Sequence, residues 1–277
     1  MSAGAGSPPV VHLRDTFSSR AGGNGATIVC KMGRVELARC IGAALHGLDI
    51  ECDSLELIGC TTNENAQCGV RLRTRGSMEL TDLTSNDNGW QGALLLPVLS
   101  SVQEKANKHG ARVARNGFGL PGGGAGIECS GLSSVTMQDV ECFANAGSGI
   151  VIADMDRDGA LDRVTCSANG GHGVHVTSTQ GLPGGRMTVR GAVCDGNTSN
   201  GLFLEGTSGG QVTQCVGSNN GGVGIFVIGS AHVVCGNSVL SNSGAPMIVN
   251  VPGNIVGPMV DELSVAGNCN PAANYVH

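Results

Sequence analysis

The sequence predicts an all-β solenoid, a single domain made of about ten stacked turns of short parallel strands. Three observations carry this prediction: a repeat of mostly 22 to 24 residues, an asparagine at the same place in most repeats, and 46 glycines among 277 residues. Glycine permits the tight turns that such a repeat needs. A repeat this short cannot bury an apolar face alone, so its copies must stack on one another.

Each repeat begins at a glycine followed by an apolar–x–apolar triplet, the alternation typical of a strand with one buried face. These marker glycines are Gly25, Gly47, Gly69, Gly92, Gly126, Gly149, Gly173, Gly201 and Gly224, and Pro246 takes the tenth place. A second alternating strand begins downstream of many markers, at Val35, Leu55, Met78, Val135, Leu161 and Met187. Like residues of successive turns should therefore stack at the strand spacing of about 4.8 Å.

Two further columns follow the same repeat. Four residues before the marker stand Asn65, Asn88, Asn145, Asn169, Asn197, Asn220 and Asn242. Each amide can donate to the carbonyl of the next asparagine, which predicts a ladder. Just upstream lies a cysteine or an apolar residue, suited to a buried corner: Cys40, Cys60, Leu83, Cys142, Cys166, Cys194, Cys215 and Cys235. Stacked thiols point the same way, a poor geometry for S–S bonding, so the cysteines are predicted to be reduced.

These columns and the glycine-led strands resemble the right-handed parallel β-helix, or pectin-lyase-like fold, over roughly residues 22–250. We expect an N-terminal arm or cap at 1–24, the β-helix at 25–250 with an insertion at 97–124, and a C-terminal tail at 251–277 that packs on the solenoid. The resemblance implies no single function, because this fold serves lyases, hydrolases, epimerases, viral adhesins and protein-binding modules. His172 matches the Gly-His-Gly of polygalacturonases, but their paired aspartates, Asn-x-Asp and Arg-x-Lys are absent here.

The long interval after Gly92 carries two predictions. Pro97 near its start and Gly110 at its end, with spaced apolar residues between them, predict a short helix near residues 97–110. Basic side chains in and after this segment are candidates for binding an anionic ligand; the alternative is the solvated face of a loop. They are Lys105, Lys108, Arg112 and Arg115.

Acidic residues are expected in one column on the outward face of the second strands, at Glu36, Glu56, Glu79 and Asp162. Stacked carboxylates raise one another's pKa and can perform acid–base chemistry on a polysaccharide. The catalytic candidates are therefore Glu56, Glu79 and Asp162, together with His172. The alternative interpretation is an ordinary solvated face.

A calcium site is the only cofactor hypothesis that the sequence suggests. Asp154, Asp156 and Asp158, followed by Gly159, have the spacing of the first half of a calcium loop. Thr165 stands where such a loop has its bidentate glutamate, so a polar turn is the alternative.

An apolar column is expected on the outward side of the first strands, at Val151, His175, Phe203, Phe226 and Ile248. An exposed apolar stripe of this length usually marks contact with something. Three kinds of group could contact this column: the C-terminal tail, a protein partner or second copy of the chain, and a sugar.

Two functions fit these features. One is a non-catalytic scaffold or binding module that presents its lateral face to a protein partner or glycan; the other is a polysaccharide lyase, hydrolase or epimerase acting on an acidic sugar polymer. The first is favoured, because no complete catalytic motif is visible and Trp90 and Tyr275 are the only tryptophan and tyrosine. A net charge of −6 argues against nucleic-acid binding. Without a visible signal peptide or apolar membrane span, an intracellular or virion location is expected, with secretion as the alternative.

Overall fold

The computed structural model describes residues 10–97, 105–119, 123–155, 157–178, 185–250, 253–257, 259–261 and 274–276. Regular structure in these ranges consists of β-strands, all paired in parallel, which coil into a single solenoid as predicted. No helix in the described part of the chain is long and apolar enough to cross a lipid bilayer.

Each turn of the solenoid, or rung, supplies a first and a second strand to a large sheet and a third strand to a smaller sheet. The large sheet contains β1 (Val10–Arg14), β3 (Ala26–Glu36), β5 (Leu48–Ile58), β7 (Val70–Thr74), β8 (Ser77–Thr81), β10 (Ala93–Pro97), β11 (Lys105–His109), β13 (Ile127–Ser130), β14 (Ser134–Gln138), β16 (Ile150–Ala153), β17 (Gly159–Asp162), β19 (Val174–Thr177), β20 (Met187–Arg190), β22 (Leu202–Thr213), β24 (Ile225–Cys235), β26 (Met247–Asn250) and β27 (Ile255–Val256). The smaller sheet contains β2 (Phe17–Ser19), β4 (Arg39–Ile41), β6 (Thr61–Asn63), β9 (Thr84–Asn86), β12 (Arg112–Ala114), β15 (Glu141–Phe143), β18 (Thr165–Ser167), β21 (Val193–Asp195), β23 (Val216–Ser218), β25 (Ser238–Leu240), β28 (Met259–Asp261) and β29 (Asn274–Val276).

Stacking in register places the apolar residue of each marker triplet in the core. Ile150, Val174 and Leu202 lie above one another in consecutive rungs, and each is at most 1% exposed. β3, β5, β22 and β24 are long strands that run through both the first and second strand positions. The outward side chains of one rung therefore line up with those of the next, and these columns form the lateral faces of the molecule.

The asparagine ladder is confirmed and has one member more than predicted. Nδ2 of each asparagine donates to Oδ1 of the next at 2.8 to 3.0 Å, from Asn65 without a break to Asn242. The additional member is Asn116, which bridges Asn88 and Asn145. The spacing rule does not identify Asn116, because the next marker glycine, Gly126, follows it by ten residues instead of four.

The eleven cysteines in the described residues all carry free thiols. Cys142, Cys166 and Cys194 stack in register in the third strands, as predicted. The remainder of the predicted column is wrong in part: the register of Cys40 with Thr62 places Cys60 two residues upstream, in a separate inward column with Leu83 and Cys215. Cys235 lies in a second strand, beside Thr213.

The helix predicted near residues 97–110 is wrong where the structure describes that segment. Lys105–His109 is β11, paired residue by residue with β8 on one side and β14 on the other. Two neighbouring strands offer backbone partners on both edges, and this tertiary context outweighs the weak local preference for a helix.

Both ends of the described chain continue the solenoid. β1 and β2 pair with β3 and β4, adding strands before the first complete rung. β27 pairs with β24, and β29 pairs with β25. These parts of the tail lie on the sheets in the manner of further rungs.

Candidate functional site

A lateral groove crosses the outward face of the second strands near the N-terminal end. Its main part has a volume of about 470 Å³ and is lined by residues 10–12, 32–34, 54–56 and 77–79. A second depression of about 290 Å³ shares Glu79 and continues over β11 and β14. The lateral groove thus crosses six neighbouring strands, a length of about 24 Å at the usual strand spacing.

Two of the predicted carboxylates meet in this groove. Glu56 and Glu79 are in register on β5 and β8. Arg34, which precedes Glu56 in the same column, donates hydrogen bonds from Nη1 to Glu56 and from Nε to Glu36. Glu79 forms no hydrogen bond or ion pair with the residues that the structure describes. The two stacked carboxylates therefore have different surroundings, one beside a guanidinium and one open to the groove.

The predicted alignment of Glu36 and Asp162 with this pair is wrong by two residues. Glu36 is in register with Ile58, and Asp162 is in register with Gln138, so both lie one pleat further along the strand. The error arises at Gly33 and Gly159, which occupy inward positions without an apolar side chain. A Cβ at Gly159 would lie 2.7 to 2.9 Å from side-chain atoms of Met155 and Met187, which fill the core there instead.

Basic side chains surround Glu36 at the N-terminal end of the lateral groove. Arg34 donates to its carboxylate, while His12 Nε2 and Arg14 Nε lie 3.8 and 3.6 Å from Oε2. The hydrogen bond from Arg34 is the main reason why the pKa of Glu36 lies below its usual value. Basic and acidic side chains thus lie side by side at this end of the groove.

On the face of the first strands, three acidic residues of β5 oppose Arg71 and Arg73 of β7 and Arg75, which follows β7 directly. Arg71 Nε donates to Asp49 at 2.9 Å, and the shortest ion pairs of the other two arginines, at 3.3 and 3.1 Å, are Arg73 with Glu51 and Arg75 with Asp53. Burial acts to raise the pKa of Asp49, but its bonds and charges from the arginines outweigh burial and lower it. Each arginine already has a carboxylate partner, so this basic cluster is neutralised within the chain.

The predicted apolar column is present in register further along the same face. His175 stacks on Phe203 with ring centroids 5.0 Å apart and planes 4° from parallel, and Phe203 stacks on Phe226 at 5.1 Å and 25°. Val151 and Ile248 continue the column on either side, and all five residues are half-buried. The inner ring faces are turned towards one another, so these rings present mainly their edges to solvent. The described segments of the C-terminal tail pair elsewhere and do not cover this column.

The other catalytic candidates lie outside the lateral groove. His172 is in the turn before β19, beside the aromatic column, with its ring centroid 4.8 Å from that of His175. Asp162 is on β17, three strands beyond Glu79, and is ion-paired with Arg163. Of the four candidates, the structure brings together only Glu56 and Glu79.

The described members of the basic cluster predicted after Gly92 do not lie together on one exposed face. Lys108 points into the core between Leu80 and Met137 and is 2% exposed, so its assignment to an exposed cluster is wrong. Arg112 lies 3.7 Å from Glu141 and over the ring of Phe143. Arg115 forms two hydrogen bonds with Asp87. The side chain of Lys105 lies outside the described residues.

The calcium hypothesis concerns the turn between β16 and β17. Asp154 and Asp158 are exposed there, and Asp156 lies outside the described residues. In the part of the chain that the structure covers, no group of three or more His, Cys, Asp or Glu side chains is arranged to hold a metal ion. The calcium site stays a prediction.

Comparisons with known proteins agree with this architecture. Three solved structures share the fold over most of this chain: a pectate lyase, Pel9A, with 14% identity over 90% of this chain and 72% of its own, TM-score 0.61; the Dettilon tailspike protein (gp208), with 11% identity over 96% and 59%, TM-score 0.56; and the A-module of the Azotobacter vinelandii mannuronan C-5 epimerase AlgE4, with 12% identity over 88% and 80%, TM-score 0.55. At such identities the likeness concerns the fold alone.

No curated protein sequence matches the chain significantly. A family model described as a right handed beta helix region matches residues 46–208, more than half of the sequence. The period and the parallel coil of strands agree with this match, and the chain belongs to the right-handed β-helix family.

Proposed function

We propose that this chain is a non-catalytic β-helix module that binds a glycan along the lateral groove. The observation that carries the proposal is the groove itself, which crosses six neighbouring strands as two adjoining depressions that share Glu79. An extended polymer lying across the strands would meet one outward side chain of this column per strand, at steps of about 4.8 Å, in the order His12, Arg34, Glu56, Glu79. A site of this shape suits a linear chain better than a compact metabolite.

The groove side chains match the hydroxyl groups of sugars. Glu56 and Glu79 accept hydrogen bonds, and Arg34 and His12 donate them. Val10 and Met32 add exposed apolar surface at one end, 72% and 52% exposed respectively. Hydrogen-bonding groups beside apolar patches suit the two kinds of surface that a sugar ring presents.

Two structural relatives support the class of ligand. The pectate lyase and the mannuronan C-5 epimerase are named for polysaccharides. The absence of convergence among the catalytic candidates supports binding without catalysis, since His172 and Asp162 lie away from Glu56 and Glu79. The aromatic column is the weaker candidate for sugars, because its inner ring faces already stack on one another.

Binding to a glycan array tests the proposal. The array contains pectin, alginate, sulfated and neutral polymers, each with and without Ca²⁺, and the groove variant is Glu56→Gln/Glu79→Gln. The wild type should bind at least one polymer, and the variant should bind it about tenfold more weakly, because two charged acceptors are lost. Glu64→Gln, an exposed substitution on a different turn, is the matched control and should bind like the wild type.

If the wild type binds none of the polymers, the proposal is rejected, and contact with a protein partner is left as the function of the lateral face. Equal binding by the wild type and the groove variant would place the glycan on another surface.

A second candidate function rests on the unequal surroundings of Glu56 and Glu79. A carboxylate beside a guanidinium and a neighbouring carboxyl group that has no partner among the described residues are the elements of acid–base chemistry on a bound polysaccharide. This enzyme would cleave or epimerise an acidic polymer. Mass spectrometry after prolonged incubation would show new products with the wild type and none with Glu79→Gln, whereas a binding module yields none with either protein.

A further inference from the structure

A row of side-chain acceptors runs beside the asparagine ladder, at the residue before several of the marker glycines. Ser148 Oγ accepts the backbone N–H of His172 at 3.1 Å. His172 Nδ1 then accepts the N–H of Asn200 at 3.1 Å, and Asn200 Oδ1 accepts the N–H of Val223 at 2.8 Å. Each rung in this region is therefore tied to the next by a side chain that must offer a lone pair.

Histidine meets this requirement in one protonation state only. A neutral imidazole can accept at Nδ1 while its proton lies on Nε2. A protonated imidazole carries N–H groups at both nitrogens, so that Nδ1 of His172 would face the Asn200 N–H donor to donor. Serine and asparagine at the neighbouring positions keep their lone pairs at any moderate pH.

The surroundings of His172 disfavour a positive charge. Its ring lies 4.8 Å from that of His175 and 5.2 Å from that of Phe203, and His175 Nε2 is buried without a partner in the described residues. Burial lowers the pKa of His172 to about 4, and the neighbouring His175 adds to this effect. Burial also lowers the pKa of His175, against the opposing charge of Glu205 on β22. The adjoining Ser148 and Asn200 carry no titratable group.

We propose that His172 and His175 make this face of the solenoid acid-sensitive: protonation of His172 releases the Asn200 N–H and loosens the turn of His172 from the next rung. Two imidazolium rings at this separation would also repel each other. The inference concerns the first-strand face and does not depend on glycan binding in the lateral groove.

The sign of the pH effect follows from the lowered pKa. Histidine titrates near pH 6.5 in the unfolded chain and, for His172, near pH 4 in the folded chain. The unfolded state therefore takes up protons first, so stability is full above about pH 6.5 and falls as the pH decreases towards 4. The lowered pKa of carboxylates such as Asp49 acts at lower pH, which separates the two effects.

The test compares the wild type with the double variant His172→Asn/His175→Phe. Asparagine already occupies the acceptor position at Asn200, and phenylalanine extends the stack on Phe203, so the variant keeps both interactions without a titrating ring. Unfolding in urea at pH 7 and pH 5 measures stability, and hydrogen exchange of the Asn200 amide measures the local bond. The exposed His12→Asn variant is the control for loss of a histidine.

Between pH 7 and pH 5 the unfolding constant of the wild type should rise on the order of tenfold more than that of the double variant. Exchange protection at Asn200, corrected for the intrinsic rate, should fall in the wild type and persist in the double variant. The His12→Asn protein should respond like the wild type. An equal pH response of wild type and double variant, or unchanged protection at Asn200, would overturn the proposal.

Discussion

Lys108 places an amine inside the apolar core of the solenoid. Its side chain lies between Leu80 and Met137, and Nζ has no hydrogen-bond partner among the described residues. Burial lowers the pKa of this amine, and the nearby thiols of Cys129 and Cys142 oppose the shift. An unpaired buried ammonium is costly, so Lys108 reduces the stability of the fold at neutral pH.

The substitution Lys108→Met should stabilise the protein by roughly 2 kcal/mol at pH 7, because an apolar side chain of similar length replaces an amine that loses its charge or its hydration. The gain should shrink as the pH rises towards about 10.4, where half of the lysine side chains in the unfolded chain have lost their charge. Urea unfolding of both proteins at pH 7 and pH 10 measures the difference.

Lys31→Met is the control for the loss of a lysine, since Lys31 is exposed on β3, and its stability should change little. A Lys108→Met protein that is less stable than the wild type would show that the amine has a partner in solution.

The asparagine ladder acts as one element, so the position of a member decides its importance. Asn145 accepts from the backbone N–H and the side chain of Asn116 and donates to Asn169, all in buried surroundings. Asn242 ends the described ladder and is half-buried. Water can replace lost partners at the end of the row and not in its interior.

Asn145→Ala should destabilise the protein by about 3 kcal/mol, since it leaves buried donors and acceptors unpaired on both sides. Asn242→Ala, the same change at the end of the row, should cost about 1 kcal/mol. Thermal unfolding of the two variants measures the contrast. Equal losses would mean that the ladder contributes by filling turns rather than by its chain of amide bonds.

At the scale of the whole molecule, the cysteines of the described residues form two groups along the solenoid, Cys30 to Cys68 and Cys129 to Cys235, separated by rungs without cysteine. Ten of the eleven in the described residues are buried, and Cys235 is half-buried. Burial raises the pKa of Cys52 and of Cys68 to about 12, so neither forms the reactive thiolate near neutral pH.

Thiol titration should therefore depend on folding. In denaturant about twelve thiols per chain should react at once, and in the native protein at most a few, with Cys235 the fastest among the described cysteines. Finding only a few reactive thiols in denaturant would indicate disulfides and contradict the stacked, reduced arrangement.

The sequence by itself determined the fold, the asparagine ladder and the aromatic column. Each is a stack of like residues, and a residue stacked on its counterpart must recur at the period of the rung. Asn169 and Phe203 were therefore predictable in position without coordinates. Asn116 was missed because the inserted residues after it changed the spacing to the next marker glycine.

Only the tertiary structure decided which columns share a face and which residues point inward. Gly33 and Gly159 occupy core positions but have no apolar side chain that would reveal this in the sequence. The predicted register was therefore two residues off, and Glu36 and Asp162 do not lie in the column of Glu56 and Glu79. Lys108 belongs to a strand because β8 and β14 supply backbone partners on both sides. These backbone hydrogen bonds join strands of different rungs, which are distant in the chain. Neither local propensity nor the periodicity of the sequence predicts them.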